Sequence, residues 1–201
     1  VQDGADFRQI DSVMEAWGWP MGPAYLIDVI GLDTLNHCYD SMSSGLPERF
    51  NLKKSNYPSQ RIFIAGRLGQ KNGRGYYQYI KGKSGRAEKR TDIEAQTVID
   101  AVSEPAKSFS DEEIVNRTML PMANEMLRCL DEQIVASPEE ADMALIYGLG
   151  FPRFRGGICR WMDEIGPKGL CDLGRSLESI STLYNPPASL EKRVANNLML
   201  Y

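Results

Sequence analysis

The stretch Gly18-Trp-Pro-Met-Gly-Pro-Ala-Tyr-Leu-Ile-Asp-Val-Ile-Gly31 packs two prolines and two glycines into its first six residues, then continues at apolar helical spacing. It reads as a loop that turns into a helix. Its frame returns as Gly150-Phe-Pro-Arg-Phe-Arg-Gly-Gly-Ile-Cys-Arg-Trp-Met-Asp-Glu-Ile-Gly166, three residues longer. Both copies open Gly-aromatic-Pro and close Asp-x-Ile-Gly. The repetition predicts one structural unit present twice, over residues 1–102 and 103–201.

Helical periodicity dominates the rest. Phe7, Ile10, Val13, Met14 and Trp17 share one face behind a capping region, Asp3-Gly-Ala-Asp6. A second helix is expected from about Pro23 to Ile30, and Asp33-Thr34 can cap a third. The pattern weakens from Gly45 to about Leu68. Gly69-Gln-Lys-Asn-Gly-Arg-Gly-Tyr-Tyr-Gln-Tyr79 suits a tight turn or hairpin, Lys81–Arg90 has linker composition, and a helix resumes near Thr91 and runs to Val102. Ser110-Asp-Glu-Glu113 is a capping box opening a long helix through Ile134, with a kink expected at Pro121. Ser137-Pro-Glu-Glu140 opens another that ends at Tyr147-Gly-Leu-Gly150. Further helices are expected near 155–165, 167–179 and 189–199. If Asp11 pairs with Asp142, Val1 corresponds to about Glu132. The first unit is then expected to be N-terminally truncated, lacking at least about 20 residues, the length of a helix like the one that opens at Ser110.

Composition narrows the function classes. The 201 residues are 42% hydrophobic and 25% charged, ordinary for a folded domain. No apolar run reaches the roughly 20 residues of a membrane span, and the start has no signal-peptide pattern, so the cytoplasm is the default location. Cys38, Cys129, Cys159 and Cys171 show no zinc or Cys-x-x-Cys spacing and read as reduced packing residues. With His37 the only histidine, no site built on two histidines is possible. Residues 53–90 hold eleven of the 23 Lys and Arg against one acid, Glu88. The acidic remainder and the clustering of Tyr76, Tyr77 and Tyr79 disfavour a nucleic-acid track, leaving a solvated loop as the simpler account.

Taken together, three stretches carry a family resemblance: Gly18-Trp-Pro-Met-Gly-Pro…Asp28-Val-Ile-Gly-Leu-Asp33; Gly69-Gln-Lys-Asn-Gly-Arg-Gly-Tyr-Tyr; and Asn116-Arg-Thr-Met-Leu-Pro-Met-Ala-Asn-Glu125 with Glu140-Ala-Asp-Met-Ala-Leu-Ile-Tyr-Gly-Leu-Gly-Phe-Pro152. The chain resembles the L-3-hydroxyacyl-CoA dehydrogenases, above all the C-terminal part of the bacterial fatty-acid oxidation complex alpha subunit. The resemblance implies an all-α fold: two tandem helical units of the 6-phosphogluconate-dehydrogenase C-terminal-like type, packed as a pseudo-dimer. It also implies oxidation of L-3-hydroxyacyl-CoA by NAD. NAD and the catalytic His-Glu pair would sit in a Rossmann domain, so these residues alone are expected to be inactive and to hold no catalytic, cofactor-binding or metal-binding residue. The implied partners are acyl-CoA, the protein's own N-terminal hydratase and Rossmann domains, and a thiolase beta subunit, with no nucleic acid.

The resemblance singles out Tyr147 as a substrate-contacting residue, its ring packing on an acyl or pantetheine chain. The plainer account is a core aromatic closing a helix. Asn116 stands where the family places a substrate asparagine, in the second copy, and is expected instead to bond carbonyls freed at Pro121. Pro20, Met21, Gly22 and Pro23 could form a cleft wall or a structural corner. Lys71 and Arg74 could meet CoA phosphates, although nothing in the sequence orients them. A different class of function, a non-catalytic helical scaffold for domain and subunit packing, remains the alternative.

Overall fold

The computed structural model describes residues 1–49, 57–82 and 87–201. Ten helices and one two-stranded sheet are found among them. They sort into two compact units, Val1–Glu15 with Met21–Phe109, and Ala16–Pro20 with Ser110–Tyr201. Residues 103–109 therefore fold with the first unit, and the start of the Gly-aromatic-Pro loop folds with the second.

In the first unit, α1 (Phe7–Trp17) starts where the Asp6 carboxylate accepts the Arg8 amide at 2.9 Å. α2 (Pro23–Ile30) opens on a proline at its first position. α3 (Leu32–Gly45) begins one residue before the expected Asp33-Thr34 cap. Its N-cap is Gly31 at φ 100°, with no side-chain cap, and Asp33 lies in the first turn. The weakly patterned stretch contains a short helix, α4 (Pro58–Ile64), again started by a proline. The expected linker is partly sheet: β1 (Gln78–Lys81) pairs antiparallel with β2 (Ala87–Arg90), Gln78 opposite Arg90. Composition was misleading there because the side chains of β2 are all exposed and its order comes from the ladder with β1. α5 (Ile93–Asp100) is capped by Asp92, which accepts from Glu94 N. The core joins Phe7, Leu32, Ile62, Ala95 and Ile99 to Tyr76 and Tyr77. The Phe7 ring lies 5.3 Å from both tyrosine rings.

The second unit is built on α6 (Asp111–Asp131), whose N-cap Ser110 accepts the Glu113 amide at 3.1 Å. The helix continues through Pro121. That proline has no N–H for the Arg117 carbonyl, and the Tyr184 hydroxyl donates to it instead at 3.2 Å. The expectation that Asn116 would serve this carbonyl is thereby replaced: Tyr184, from a single turn of 3-10 helix at Thr182–Tyr184, reaches it. α7 (Pro138–Leu149) has the predicted Ser137 cap and ends on Gly150 in the left-handed conformation, φ 74°. α8 (Ile158–Ile165), α9 (Pro167–Leu177) and α10 (Ala188–Asn196) follow. Met119, Leu120, Ala123 and Leu127 of α6, Ile158 and Met162 of α8, Leu170 of α9 and Leu190 of α10 are each at most 2% exposed. Each such side chain contributes about 1.5–3 kcal/mol of burial, alanine less. None of the four cysteines is in a disulfide; Cys159 and Cys171 are buried as packing residues, whereas Cys38 is exposed.

Candidate functional site

Two helix entries are built alike. The first amides of α2 and α8 lack a side-chain cap from their own N-caps, Gly22 and Gly157. An aspartate from the preceding helix supplies it. Asp11 of α1 accepts Ala24 N at 2.8 Å and Tyr25 N at 3.0 Å. Asp142 of α7 accepts Cys159 N at 2.7 Å and Arg160 N at 3.4 Å. Each carboxylate thus meets orphan first-turn donors at the positive end of a helix dipole. Each takes a further bond from a distant tyrosine, Tyr77 Oη at 2.7 Å on Asp11 and Tyr201 Oη at 2.9 Å on Asp142. A β-carbon on Gly22 would strike Asp11, and one on Gly157 would strike Asp142.

A second aspartate in each frame, the one in Asp-x-Ile-Gly, holds the segment that brings that tyrosine back. Asp28 accepts Tyr76 N at 2.8 Å, Tyr77 N at 2.9 Å and Tyr79 Oη at 2.9 Å. Asp163 accepts Leu200 N at 2.8 Å and Tyr201 N at 3.0 Å. Burial pushes the Asp11 and Asp28 carboxyls above their ordinary range despite these bonds. Burial also raises the Tyr77 hydroxyl, reinforced by its bond to Asp11. A cation caps each tyrosine ring, Lys89 at 4.5 Å from Tyr77 and Arg160 at 3.4 Å from Tyr201. In the sequence Asp11 and Asp142 mark the alignment of the two copies, and their capping role is set by the fold. The available signal was an aspartate within the apolar pattern of each helix.

Tyr147 lies in the last turn of α7 and is 68% exposed, so the core-aromatic account does not hold. The Arg153 guanidinium sits 5.4 Å from its ring centroid. Tyr147 and Met143, one turn apart on α7, are both exposed, as is Phe154 in the loop that follows. An exposed ring beside a cation offers a flat apolar contact next to positive charge. Asn116 lies elsewhere in the second unit, on an open groove of about 300 Å³ that it lines with Ser110, Glu113, Arg117, Leu173 and Leu177.

The remaining expected residues are engaged locally. Gly22 makes room for Asp11. Lys71 Nζ lies 2.7 Å from Asp33 Oδ1 and 3.0 Å from Thr34 Oγ1. Arg74 pairs with Glu94 at 3.6 Å. Arg67, only 4% exposed, donates to the Gly75 carbonyl at 2.8 Å and pairs with Asp92. Among the described residues of the basic segment, Arg67, Lys71, Arg74, Lys89 and Arg90 are in ion pairs. His37 is exposed on α3. Among the described residues no group of three or more His, Cys, Asp or Glu could hold a metal ion, and no helix is long and apolar enough to cross a membrane. Side chains at Gly69 or Gly75 would collide with the backbone and carboxylate of Asp28, so the protein's own packing requires these glycines.

Comparison with known proteins agrees with this architecture. The family model for the 3-hydroxyacyl-CoA dehydrogenase, C-terminal domain, matches residues 1–79 and 114–199. Among solved structures, the dehydrogenase part of multifunctional enzyme 1 from C. elegans aligns at 24% identity with a TM-score of 0.62, covering 92% of this chain and 41% of that one. The 3-hydroxybutyryl-CoA dehydrogenase from Escherichia coli K12 aligns at 18% identity with a TM-score of 0.68, covering 94% and 54%. At these identities the two structures speak for the fold, and the chain spans only about half of their length or less. With most of its residues matched by the family model, the chain belongs to the 3-hydroxyacyl-CoA dehydrogenase C-terminal domain family.

Proposed function

We propose that the chain is the substrate-side helical part of an enzyme that oxidises L-3-hydroxyacyl-CoA to 3-ketoacyl-CoA with NAD during fatty-acid β-oxidation. The observation that supports this most directly is the family match falling on both units. The same aspartate-capped helix entry in each unit supports reading them as two tandem copies of one domain. The catalytic base and the nicotinamide belong to a dinucleotide-binding domain outside these residues, a reading supported by the internal role of Gly69 and Gly75. A multifunctional parent with a hydratase domain and a thiolase partner extends the same proposal. Tyr147, with Arg153 beside its ring, is the proposed acyl-CoA contact.

The test follows NADH absorbance with L-3-hydroxybutyryl-CoA as substrate. The complete enzyme should turn over, whereas the chain alone should not. In the complete enzyme Tyr147→Ala should raise KM about five- to thirtyfold, the equivalent of 1–2 kcal/mol of lost contact, with little change in kcat. An unchanged KM sinks the Tyr147 assignment and favours a purely packing role for the helical units. NADH production by the isolated chain sinks the placement of the chemistry elsewhere.

A further inference from the structure

The two copies of the repeated frame build the same helix entry with loops of different length. Pro20 corresponds to Pro152 and Gly22 to Gly157, and the two glycines stand equally far before Asp28 and Asp163. Between proline and glycine the first copy has the single residue Met21, whereas the second has Arg153-Phe-Arg-Gly156. Asp11 caps α2 without any such insertion, so the helix entry itself does not require it. The added residues form a single turn of 3-10 helix at Arg153–Arg155. Loop length beyond what the fold uses is where binding residues concentrate. From Met143 to Met162 the sequence has three arginines and no acid. Arg67, Arg117, Arg128 and Arg175 each pair with a carboxylate, but among the described residues Arg153 and Arg155 pair with none. Arg155 braces the turn: its Nε donates to the Trp17 carbonyl at 2.9 Å, and its guanidinium lies 4.0 Å from the Trp17 ring centroid and 5.3 Å from that of Phe154. Phe154 is 76% exposed, with its ring against the bare backbone of Gly18. The turn thus presents the uncommitted fork of Arg153 beside exposed aromatic rings. Forked N–H donors match phosphate oxygens, and an exposed flat ring stacks on a purine base.

We propose, resting on the acyl-CoA reading above, that the Arg153–Arg155 turn binds the nucleotide end of the CoA substrate. Arg153 holds its phosphates and the Phe154 ring stacks on its adenine. The turn thereby makes the enzyme prefer a CoA thioester over a pantetheine thioester of the same acyl group.

In the complete enzyme, NADH production is followed with L-3-hydroxybutyryl-CoA and with L-3-hydroxybutyryl-pantetheine, which lacks the phosphates and the adenosine. Arg153→Ala and Phe154→Ala, both at exposed positions, are each expected to raise KM for the CoA thioester about five- to thirtyfold. KM for the pantetheine thioester and both kcat values should stay unchanged, which also shows that the variants are folded. Arg153→Lys should recover part of the loss, and added salt should raise KM of the unaltered enzyme for the CoA thioester alone. An equal rise with both thioesters overturns the nucleotide site, because the turn then only shapes its loop. An unchanged KM with both overturns it as well. Tyr147→Ala with an unchanged KM for both thioesters sinks the Tyr147 contact, and a selective effect of Arg153→Ala still supports the nucleotide site. Conversely, a raised KM in Tyr147→Ala beside no effect of Arg153→Ala overturns the nucleotide site alone.

Discussion

Asp11 and Asp142 do almost the same work, whereas Asp28 and Asp163 do not. The first pair each cap two helix amides and one tyrosine hydroxyl. In the second pair, Asp28 is fully buried and takes three bonds, two of them from residues 48 and 49 positions away. Asp163 is only half-buried, and the bonds found for it come from two amides. The difference shows which part of the frame is rigidly specified. The entry of the helix after the corner is fixed in both units by the same glycine and aspartate, while the returning segment is held more tightly in the first unit. There Gly75 lets the backbone close directly over the carboxylate.

The sharpest way to break this comparison is to delete the second aspartate in each unit. Asp28→Ala leaves two amides and a hydroxyl inside the protein without their acceptor, at about 1–3 kcal/mol each, partly offset by relief of a buried charge. A net loss of about 3–5 kcal/mol is expected. Asp163→Ala opens its amides to water and should cost about 1–2 kcal/mol. Urea denaturation of the two variants measures both. Equal losses would mean that the returning segments are held equally tightly and that the difference in burial has no energetic weight.

The next contrast concerns the glycines. Gly157 sits at φ 121°, a conformation strained for any residue with a β-carbon, and that carbon would strike Asp142. Gly22 has an ordinary φ of −71°, so a substitution there meets only the collision with Asp11. Gly157→Ala should therefore cost about 1–3 kcal/mol more than Gly22→Ala, which carries only an overpacking cost of about 1–3 kcal/mol. A larger loss at Gly22, read from thermal denaturation, would place the weight on the collision and not on the backbone.

These anchors mark the boundary of what the sequence could reveal. The helices were legible because caps and periodicity are local: Ser110, Ser137 and the prolines at 23 and 138 start the elements in which they were read. The frame was legible because it is repeated. What escaped were bonds whose partners share no local pattern, such as the Tyr76 and Tyr77 amides on Asp28 or the Tyr184 hydroxyl on the Arg117 carbonyl, 67 residues apart. The strand Ala87–Arg90 escaped for a related reason, since its order is conferred by β1 and not by any alternation of its own. At the candidate site the resemblance pointed to Tyr147, but the cation beside its ring and its 68% exposure came only from the folded chain.

The smallest effect concerns pH and isolates the balance of forces at Asp28. Burial raises its folded pKa above the ordinary 3.8, while the amides of Tyr76 and Tyr77 and the Tyr79 hydroxyl lower it. With burial the larger influence, the native state binds this proton more readily than the unfolded chain does. Asp28 then contributes stability that is fully present below pH 3.8 and is lost as pH rises through the folded value. Asp28→Asn cannot titrate. The stability of the unaltered chain minus that of Asp28→Asn should therefore grow as pH falls toward 3.8, by about 1.4 kcal/mol for each unit that the pKa is raised. Urea midpoints for both proteins across the carboxylate range supply that difference and cancel the titration of the other acids. A difference that shrinks on acidification would mean that the three donors outweigh burial, and Asp28 would then be held ionised by its bonds in the folded state.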